Sequence, residues 1–265
     1  MKYSYLGQRI PKEARKELNE KIIHLVTSNQ AEAAGITRED IYNAYTGDGG
    51  LHGLHMADFD NYAEFSQAKK EIENGQVFSP HSVCQFLMAC LNINKQELVT
   101  DLTCGMGNFF NFAPVEENIY GCEIDPKAYK VAHYLYPKAN LERGDIRNYE
   151  SPMKMDYSVG NPPFNLAFNF QNESILSQLY FCQKSAQVLK PLGIMAIIVP
   201  MSFLADTFSD KHMIEQMEND FSFLGQFSLP LSVFAPFGID AFPTKAQFWQ
   251  KKSQSEDWRP QRYST

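Results

Sequence analysis

The sequence predicts an α/β fold: a mostly parallel, doubly wound sheet preceded by a small helical segment. Three observations predict it. From about residue 76 onward, short β-branched or apolar runs alternate with helical repeats, the pattern of parallel strands joined by crossover helices. Acidic residues follow three successive strand-like runs, at Asp101, Glu123 and Asp145, where such sheets bind their ligands. Residues 1–75, by contrast, carry only helix-period patterns broken by glycine.

Taken in order, Ala14, Leu18, Ile22 and Leu25 recur at helical spacing with charges between them. After Gly35, the run Thr37-Arg38-Glu39-Asp40 sets an N-cap hydroxyl three residues before a carboxylate, a capping-box-like start ahead of Ile41, Tyr42 and Tyr45. The Gly-rich stretch 47–55 breaks that helix. Tyr62–Glu73 predicts another, ending at Gly75, where a domain boundary is expected. Ser79 or Pro80 starts a helix through Val83, Phe86, Leu87 and Leu91, and a strand is predicted over 97–102. The turn Cys104-Gly105-Met106-Gly107 leads to a short helix near Phe109, cut off by Pro114. Further along, 119–124 predicts a strand, Pro126–Leu135 a helix, 157–159 a strand core, 173–189 a helix and 194–199 a β-branched strand.

Composition narrows the classes. The 265 residues are 44% hydrophobic and 21% charged, which supports one large folded domain or one domain with a small appendage and excludes disorder. No period in glycine or proline and no internal repeat indicates a solenoid or fibre. A net charge of -7 excludes coating of nucleic acid by bulk electrostatics, so any such contact must be local. The five cysteines (Cys84, Cys90, Cys104, Cys122 and Cys182) are odd in number, without C-x-x-C spacing, and read as reduced thiols. The first residues lack the apolar core of a signal peptide, and the most apolar run, 192–199, is far shorter than the roughly 20 residues that span a bilayer. A cytoplasmic protein with no membrane partner is expected.

Two motifs carry chemistry. Asn161-Pro162-Pro163-Phe164 follows the strand core at 157–159. Its prolines fix φ and offer no N–H, so the segment presents carbonyl oxygens and one side-chain amide, a site that accepts hydrogen bonds from an amino group. An exocyclic aromatic amine is a poor nucleophile because its lone pair is delocalised into the ring. Two acceptors, Asn161 Oδ1 and the Pro162 carbonyl, would draw that nitrogen toward tetrahedral geometry, while Phe164 would stack on the base for about 1–3 kcal/mol. The second motif is the strand-end stretch from Asp101 through Thr103, Cys104, Gly105 and Gly107 to Asn108 and Phe109. An acid at the strand end is the wrong group to grip phosphate and suits an ammonium. Glu123, 18 residues beyond Gly105 and followed by Ile124, stands where a ribose-binding acid belongs. Asp145, followed by Ile146, stands where an adenine amine can be accepted. Three such acids fit an adenosine that carries an amino-acid tail and no pyrophosphate, and S-adenosylmethionine is that molecule.

Over roughly residues 75–252 these motifs resemble the N6-adenine DNA methyltransferases, in particular the gamma-ordered enzymes and the methylation subunits of type I restriction-modification systems. The resemblance implies a Rossmann-like class I methyltransferase domain over 76–252, a helical N-terminal segment over 1–75 and a tail over 253–265. It makes 101–109 the cofactor loop, Glu123 the ribose acid, Asp145 the adenine contact and Asn161, Pro162 and Phe164 the catalytic motif. The segment Gln76-Val77-Phe78-Ser79-Pro80 resembles the element that precedes the cofactor loop and packs against the methionine end of the cofactor. The implied reaction is methyl transfer to the N6 of an adenine flipped from duplex DNA, with neither metal nor covalent intermediate, in a restriction-modification or related mobile-element setting. The stretches 229–234 and 244–249 resemble the paired strands that close the catalytic domain, and Phe234 or Phe237 is a candidate second aromatic wall.

One departure matters. Such enzymes carry a target-recognition domain after the catalytic one or borrow it from a specificity subunit, and only 13 residues follow position 252. The tail at Trp258-Arg259-Pro260-Gln261-Arg262 reads as a stub toward a removed domain or a loose end. In 1–75, Arg9, Lys12, Arg15, Lys16, Lys21 and Arg38 are matched by Glu13, Glu17, Glu20, Glu32, Glu39 and Asp40, which predicts a solvated face. His52 and His55 lack partners for a metal shell and read as loop residues. Phe164, Phe168, Phe170, Phe234, Phe237 and Phe242 are mostly core candidates, with those near the motif able to line a base pocket. Two alternatives stay open: an amine or amide on RNA or on a protein glutamine as substrate, and a cofactor-binding subunit active only with a DNA-specificity partner.

Overall fold

The computed structural model describes residues 2–7, 11–46, 54, 56–73, 76–170, 173–205, 211–237, 239 and 241–253. His52 and His55, Arg9, Gly75, most of the glycine-rich stretch 47–55, the tail motif at 258–262 and the side chains of Lys12, Arg15, Lys16, Phe168 and Phe170 lie outside the described set. In chain order the elements are α1 (Lys12–Thr27), α2 (Arg38–Thr46), α3 (Tyr62–Glu73), α4 (His81–Leu91), β1 (Val99–Asp101), β2 (Ile119–Glu123), α5 (Pro126–Leu135), β3 (Asn140–Arg143) and β4 (Met155–Gly160). Then follow β5 (Ala167–Phe170), β6 (Glu173–Leu176), α6 (Ser177–Val188), β7 (Leu189–Pro200), α7 (Lys211–Asp220), β8 (Phe221–Ser228) and β9 (Thr244–Lys251). Short 3-10 turns fall at Met56–Asp58, Phe110–Phe112, Glu116–Asn118 and Ala235–Phe237.

One seven-stranded sheet runs in the order β3-β2-β1-β4-β7-β9-β8. Its first five strands are parallel, and β9 inserts antiparallel between β7 and β8. The central strands are buried on both faces, as a sheet covered on both sides requires, while the edge strands β3 and β8 are largely exposed. Along β7 the side chains alternate between two cores: Ala196 and Ile198 join the one built with α1, α2, α4 and α5, while Met195, Ile197 and Val199 join the one built with α6 and α7. Strand order reverses between β1 and β4, so their carboxyl ends open a crevice at the topological switch point.

Two helix starts are fixed by single bonds, the first of them the expected capping box. Thr37 Oγ1 accepts from Asp40 N–H at 3.1 Å while Asp40 Oδ2 accepts from Thr37 N–H at 2.9 Å, a closed capping box that starts α2. Asp125 caps α5 by accepting from Lys127 N–H at 2.7 Å, with Pro126 supplying a preset φ at the first helical position. The N-terminal helices do not stand apart from the sheet: Tyr3, Ile22, Val26, Ile41 and Tyr42 are buried in the same core as Val131, Leu135 and Tyr136.

Two expectations are corrected. The helix expected over 173–189 begins only at Ser177, because Glu173–Leu176 pairs antiparallel with Ala167–Phe170 as a two-stranded hairpin. The closing strand pair expected at 229–234 with 244–249 is β8 with β9 instead. Leu229 N–H makes the last bond toward Thr244 O at 3.0 Å, and Pro230, which has no N–H, turns the chain into the bends capped by Val233 N–H to Pro230 O and Ala235 N–H to Ser232 O. No helix among the described residues is long and apolar enough to cross a membrane.

Candidate active site

A cavity of about 740 Å³ opens at the carboxyl ends of β1, β2 and β4. One half is built by the three strand-end acids, the other by the loop after β4. Asp101 ends β1, is 2% exposed and accepts Thr103 N–H at 3.0 Å. Burial, with the Glu123 carboxylate adding to it and the Thr103 hydrogen bond opposing it, pushes its carboxyl up to about 8. It is a buried acid short of a cation. Glu123 ends β2 and spans two loops: Oε2 accepts Gly105 N–H at 2.7 Å and Oε1 accepts Asp125 N–H at 2.7 Å. Burial raises its carboxyl as well, against those two donors. Its free lone pairs remain for hydroxyl donors.

Asp145, past β3, is more exposed. Both of its oxygens accept from Arg147 Nε, at 3.0 and 2.9 Å, and the guanidinium holds the carboxyl below its usual range. Arg147 and Cys122 line the cavity beside it, and Ile124, 66% exposed, and Ile146 offer apolar surface there.

The tight turn between β1 and the Phe110–Phe112 turn depends on glycine. Gly105 has φ +55° and Gly107 φ +80°. A Cβ at Gly105 would stand 2.7 Å from the Phe78 ring, so the segment 76–80 can lie directly on the loop. That segment is pinned at three points: Gln76 Nε2 donates to Asp125 Oδ2 at 2.6 Å, Asn108 Nδ2 to Ser79 O at 2.9 Å and Asn161 Nδ2 to Val77 O at 3.3 Å.

The last bond fixes the Asn161 amide. Only the NH2 can donate to the Val77 carbonyl, so Oδ1 takes the opposite direction, and it is buried with no hydrogen-bond partner. An unpaired buried acceptor costs about 1–3 kcal/mol, which a ligand's N–H removes. Phe164 lies nearly parallel to Phe242, with centroids 6.0 Å apart and planes 18° apart. Gly160, the last residue of β4, lets this loop approach α6, since a Cβ there would fall 2.5 Å from the Phe181 ring.

Of the residues expected from the sequence, Phe78, Ser79, Asp101, Thr103, Cys104, Gly105, Asn108, Phe109, Glu123, Ile124, Asp145, Ile146, Asn161, Pro162 and Phe164 all line this one cavity. Pro80 and Gly107 do not: Pro80 precedes α4 as its cap residue, and Gly107 packs against Phe110 and Tyr136. For the second aromatic wall, Phe237 is 1% exposed in the core and does not reach the cavity, and Phe234 reaches it but is 2% exposed. Phe242 is the ring that faces Phe164. Gln76 and Val77 of the expected 76–80 element line it too, whereas sequence reasoning missed Arg147, Tyr180 and Leu166. Arg147, two residues after an expected acid, had a local signal; the others are brought in by the tertiary fold alone.

Sheet order, the buried acid at the end of β1 and the cavity at the switch point define a class I methyltransferase fold, for which S-adenosylmethionine is the cofactor. Asp101, Glu123 and Asp145 fit it, because they offer acceptors, one of them starved of a cation, where an ammonium, hydroxyls and an adenine amine need them. The family is narrower still. The family model described as N-6 DNA Methylase matches residues 60–255, and the chain belongs to that family. Over 153 residues it is 28% identical to the type II restriction enzyme and methyltransferase RM.BcgI of Heyndrickxia coagulans, a match covering 48% of this chain and 24% of that one. In fold it is similar to the methyltransferase subunit of a type I restriction-modification system from Streptococcus thermophilus (TM-score 0.57, 14% identity, 93% of this chain and 67% of that one). The type I restriction enzyme EcoKI M protein is similar too (TM-score 0.56, 17% identity, 93% of this chain and 56% of that one). The chain thus spans about a quarter of the length of RM.BcgI and little more than half of the EcoKI M protein.

Proposed function

We propose that the chain transfers a methyl group from S-adenosylmethionine to the N6 amine of an adenine turned out of duplex DNA. The observation that carries this reading is the unpaired Asn161 Oδ1, buried in the wall of the cavity that also contains the three acids. S-adenosylmethionine supplies the electrophilic methyl group. Asp101 holds its ammonium, Glu123 its ribose hydroxyls and Asp145 its adenine amine, with Phe78, Ser79, Thr103, Gly105 and Asn108 shaping the methionine end. Asn161 Oδ1 and the Pro162 carbonyl would accept hydrogen bonds from the two N–H groups of the target amine, concentrating its lone pair on nitrogen; S-adenosylhomocysteine is the leaving group, and the proton displaced by the methyl passes to solvent. Phe164, backed by Phe242, stacks on the extruded base and offsets the few kcal/mol lost in unpairing it. Rate enhancement comes from positioning and fixed dipoles.

Residues 76–252 form the catalytic unit of this reading, with 1–75 as a helical cover and 253–265 as a tail. A chain of net charge -7 grips phosphates poorly, so reading of the DNA sequence falls to a specificity subunit or to a further recognition domain. The test is transfer of labelled methyl into unmethylated duplex DNA, with and without such a partner, beside Asn161→Ala. The expected result is label in adenine N6, reduced at least about 100-fold in the variant with cofactor affinity kept. Label that enters RNA or a protein amide in preference to DNA would overturn the substrate, and full activity of Asn161→Ala would overturn the site.

A further inference from the structure

The loop that carries Asn161 and Phe164 is held from behind by the first turn of α6. Gln178 is 0% exposed, and its amide pairs reciprocally with Asn165: Asn165 N–H donates to Gln178 Oε1 at 3.0 Å, and Gln178 Nε2 donates to Asn165 Oδ1 at 2.9 Å. Ser177, 7% exposed, donates through Oγ to Pro163 O, and its N–H donates to Leu166 O at 2.8 Å. Ser177 Oγ also lies 3.1 Å from Gln178 Oε1. Pro163, Asn165 and Leu166 are thus tied to two adjacent helix residues, and Asn165 adopts the left-handed φ of +53°.

Prolines at 162 and 163 fix φ but offer no N–H, so neither can tie the carbonyl of Pro162 or the ring of Phe164 to the rest of the chain through a backbone donor. Without an outside anchor, rotation at Phe164 and Asn165 would move both together. Gln178 supplies that anchor from a rigid helix whose next turns, Phe181 and Cys182, are fully buried in the second core.

We propose that Gln178 and Asn165 are positioning residues for methyl transfer: their paired amides set the angle of the Pro162 carbonyl and the Phe164 ring relative to Asn161, and neither touches cofactor. The proposal rests on the assignment of 161–164 as the catalytic loop. It predicts that Gln178→Ala and Asn165→Ala lower the rate of single-turnover methyl transfer at saturating cofactor and DNA by about 10- to 100-fold, the range that a misplacement near 1 Å produces. Their affinity for S-adenosylhomocysteine, measured by calorimetry, stays within about twofold of the parent chain. Asn165→Asp keeps the acceptor for Gln178 Nε2 and tolerates the left-handed φ, so it retains the parent rate within a few-fold. Loss of rate and of cofactor affinity in parallel would show a general packing role and overturn the proposal, as would parent-like rates in both alanine variants.

A second readout works without activity. Hydrogen exchange at the Asn165 amide, which donates to Gln178 Oε1, should rise at least about tenfold in Gln178→Ala while amides of β4 and α6 keep their protection. If the parent chain and its partner transfer no methyl to DNA, the substrate reading fails and the exchange result alone decides the clamp. Unchanged exchange in Gln178→Ala would then overturn it.

Discussion

Asp101 shows how much of the site's behaviour one side chain decides. With its carboxyl near 8, the free folded chain keeps a proton on Asp101 that the unfolded chain, with a carboxyl near 3.8, has already released. The folded state therefore binds more protons between these values, and its stability falls as pH rises from about 4 to about 8. Asp101→Asn removes that slope. Thermal melting of the free protein should lose several degrees more between about pH 5 and 8 in the parent chain than in the variant. S-adenosylhomocysteine should restore the parent at the upper pH and do so less in Asp101→Asn, because only an ionised carboxylate gains from a neighbouring ammonium. A parent chain whose melting temperature is flat over this window would contradict the assigned burial. The acid itself was legible in the sequence from its place after a strand. Its raised carboxyl was not, since that follows from burial beside Cys84 and Gly160 and from the nearby Glu123 carboxylate, all brought there by the fold.

At the scale of elements, the loop between β1 and the Phe110–Phe112 turn contains two glycines that do different things. Both have positive φ, but a Cβ at Gly107 would meet Phe110 at 2.6 Å and Tyr136 at 2.8 Å, inside the core, whereas one at Gly105 would meet the Phe78 ring beside the cavity. Gly107→Ala should therefore destabilise the fold by roughly 1–3 kcal/mol, read in urea melts, with cofactor affinity near parental in the molecules still folded. Gly105→Ala should displace Phe78 and weaken S-adenosylhomocysteine binding about tenfold or more, since Phe78 and Ser79 shape that end of the cavity. Equal loss of affinity in both variants would mean the loop responds as one unit. The turn was readable because glycines bracket it, as was α5 because Asp125-Pro126 is a capping signature that needs no tertiary help. The hairpin β5–β6 and the α7–β8 connection were not. Glu173–Leu176 has the same composition as a helix start, and only pairing with Ala167–Phe170 decides it. Likewise Phe237 and Phe242 lie five residues apart, yet one is buried in the core and the other lines the cavity, a difference that only the tertiary fold decides.

Across the whole molecule, the N-terminal residues are joined to the cofactor half through Asn111, which is 1% exposed. Its Oδ1 accepts Lys2 N–H at 3.1 Å and Tyr3 N–H at 2.8 Å, and its Nδ2 donates to Tyr3 O and to Tyr42 OH, each at 3.0 Å. Tyr3 OH in turn donates to Leu135 O at 2.6 Å, and Tyr42 OH meets His81 Nδ1 at 2.7 Å, at the first turn of α4. One amide thus ties the chain start, α2 and the Phe110–Phe112 turn, three residues past Asn108. Asn111→Ala leaves the Tyr3 backbone N–H and C=O without their buried partner, a loss of about 3 kcal/mol at the usual cost of orphaned polar groups. The expected result is a melting temperature lowered by about 5–10 °C. Because Phe109 and Asn108 lead directly into this turn, S-adenosylhomocysteine affinity should fall several-fold in the same variant, while Asn111→Asp, which keeps the acceptor for both N–H groups, recovers part of each. A normal melt with normal affinity in Asn111→Ala would show that the N-terminal helices merely cover the catalytic unit; a joint loss would show that they are part of the frame that holds its cofactor loop.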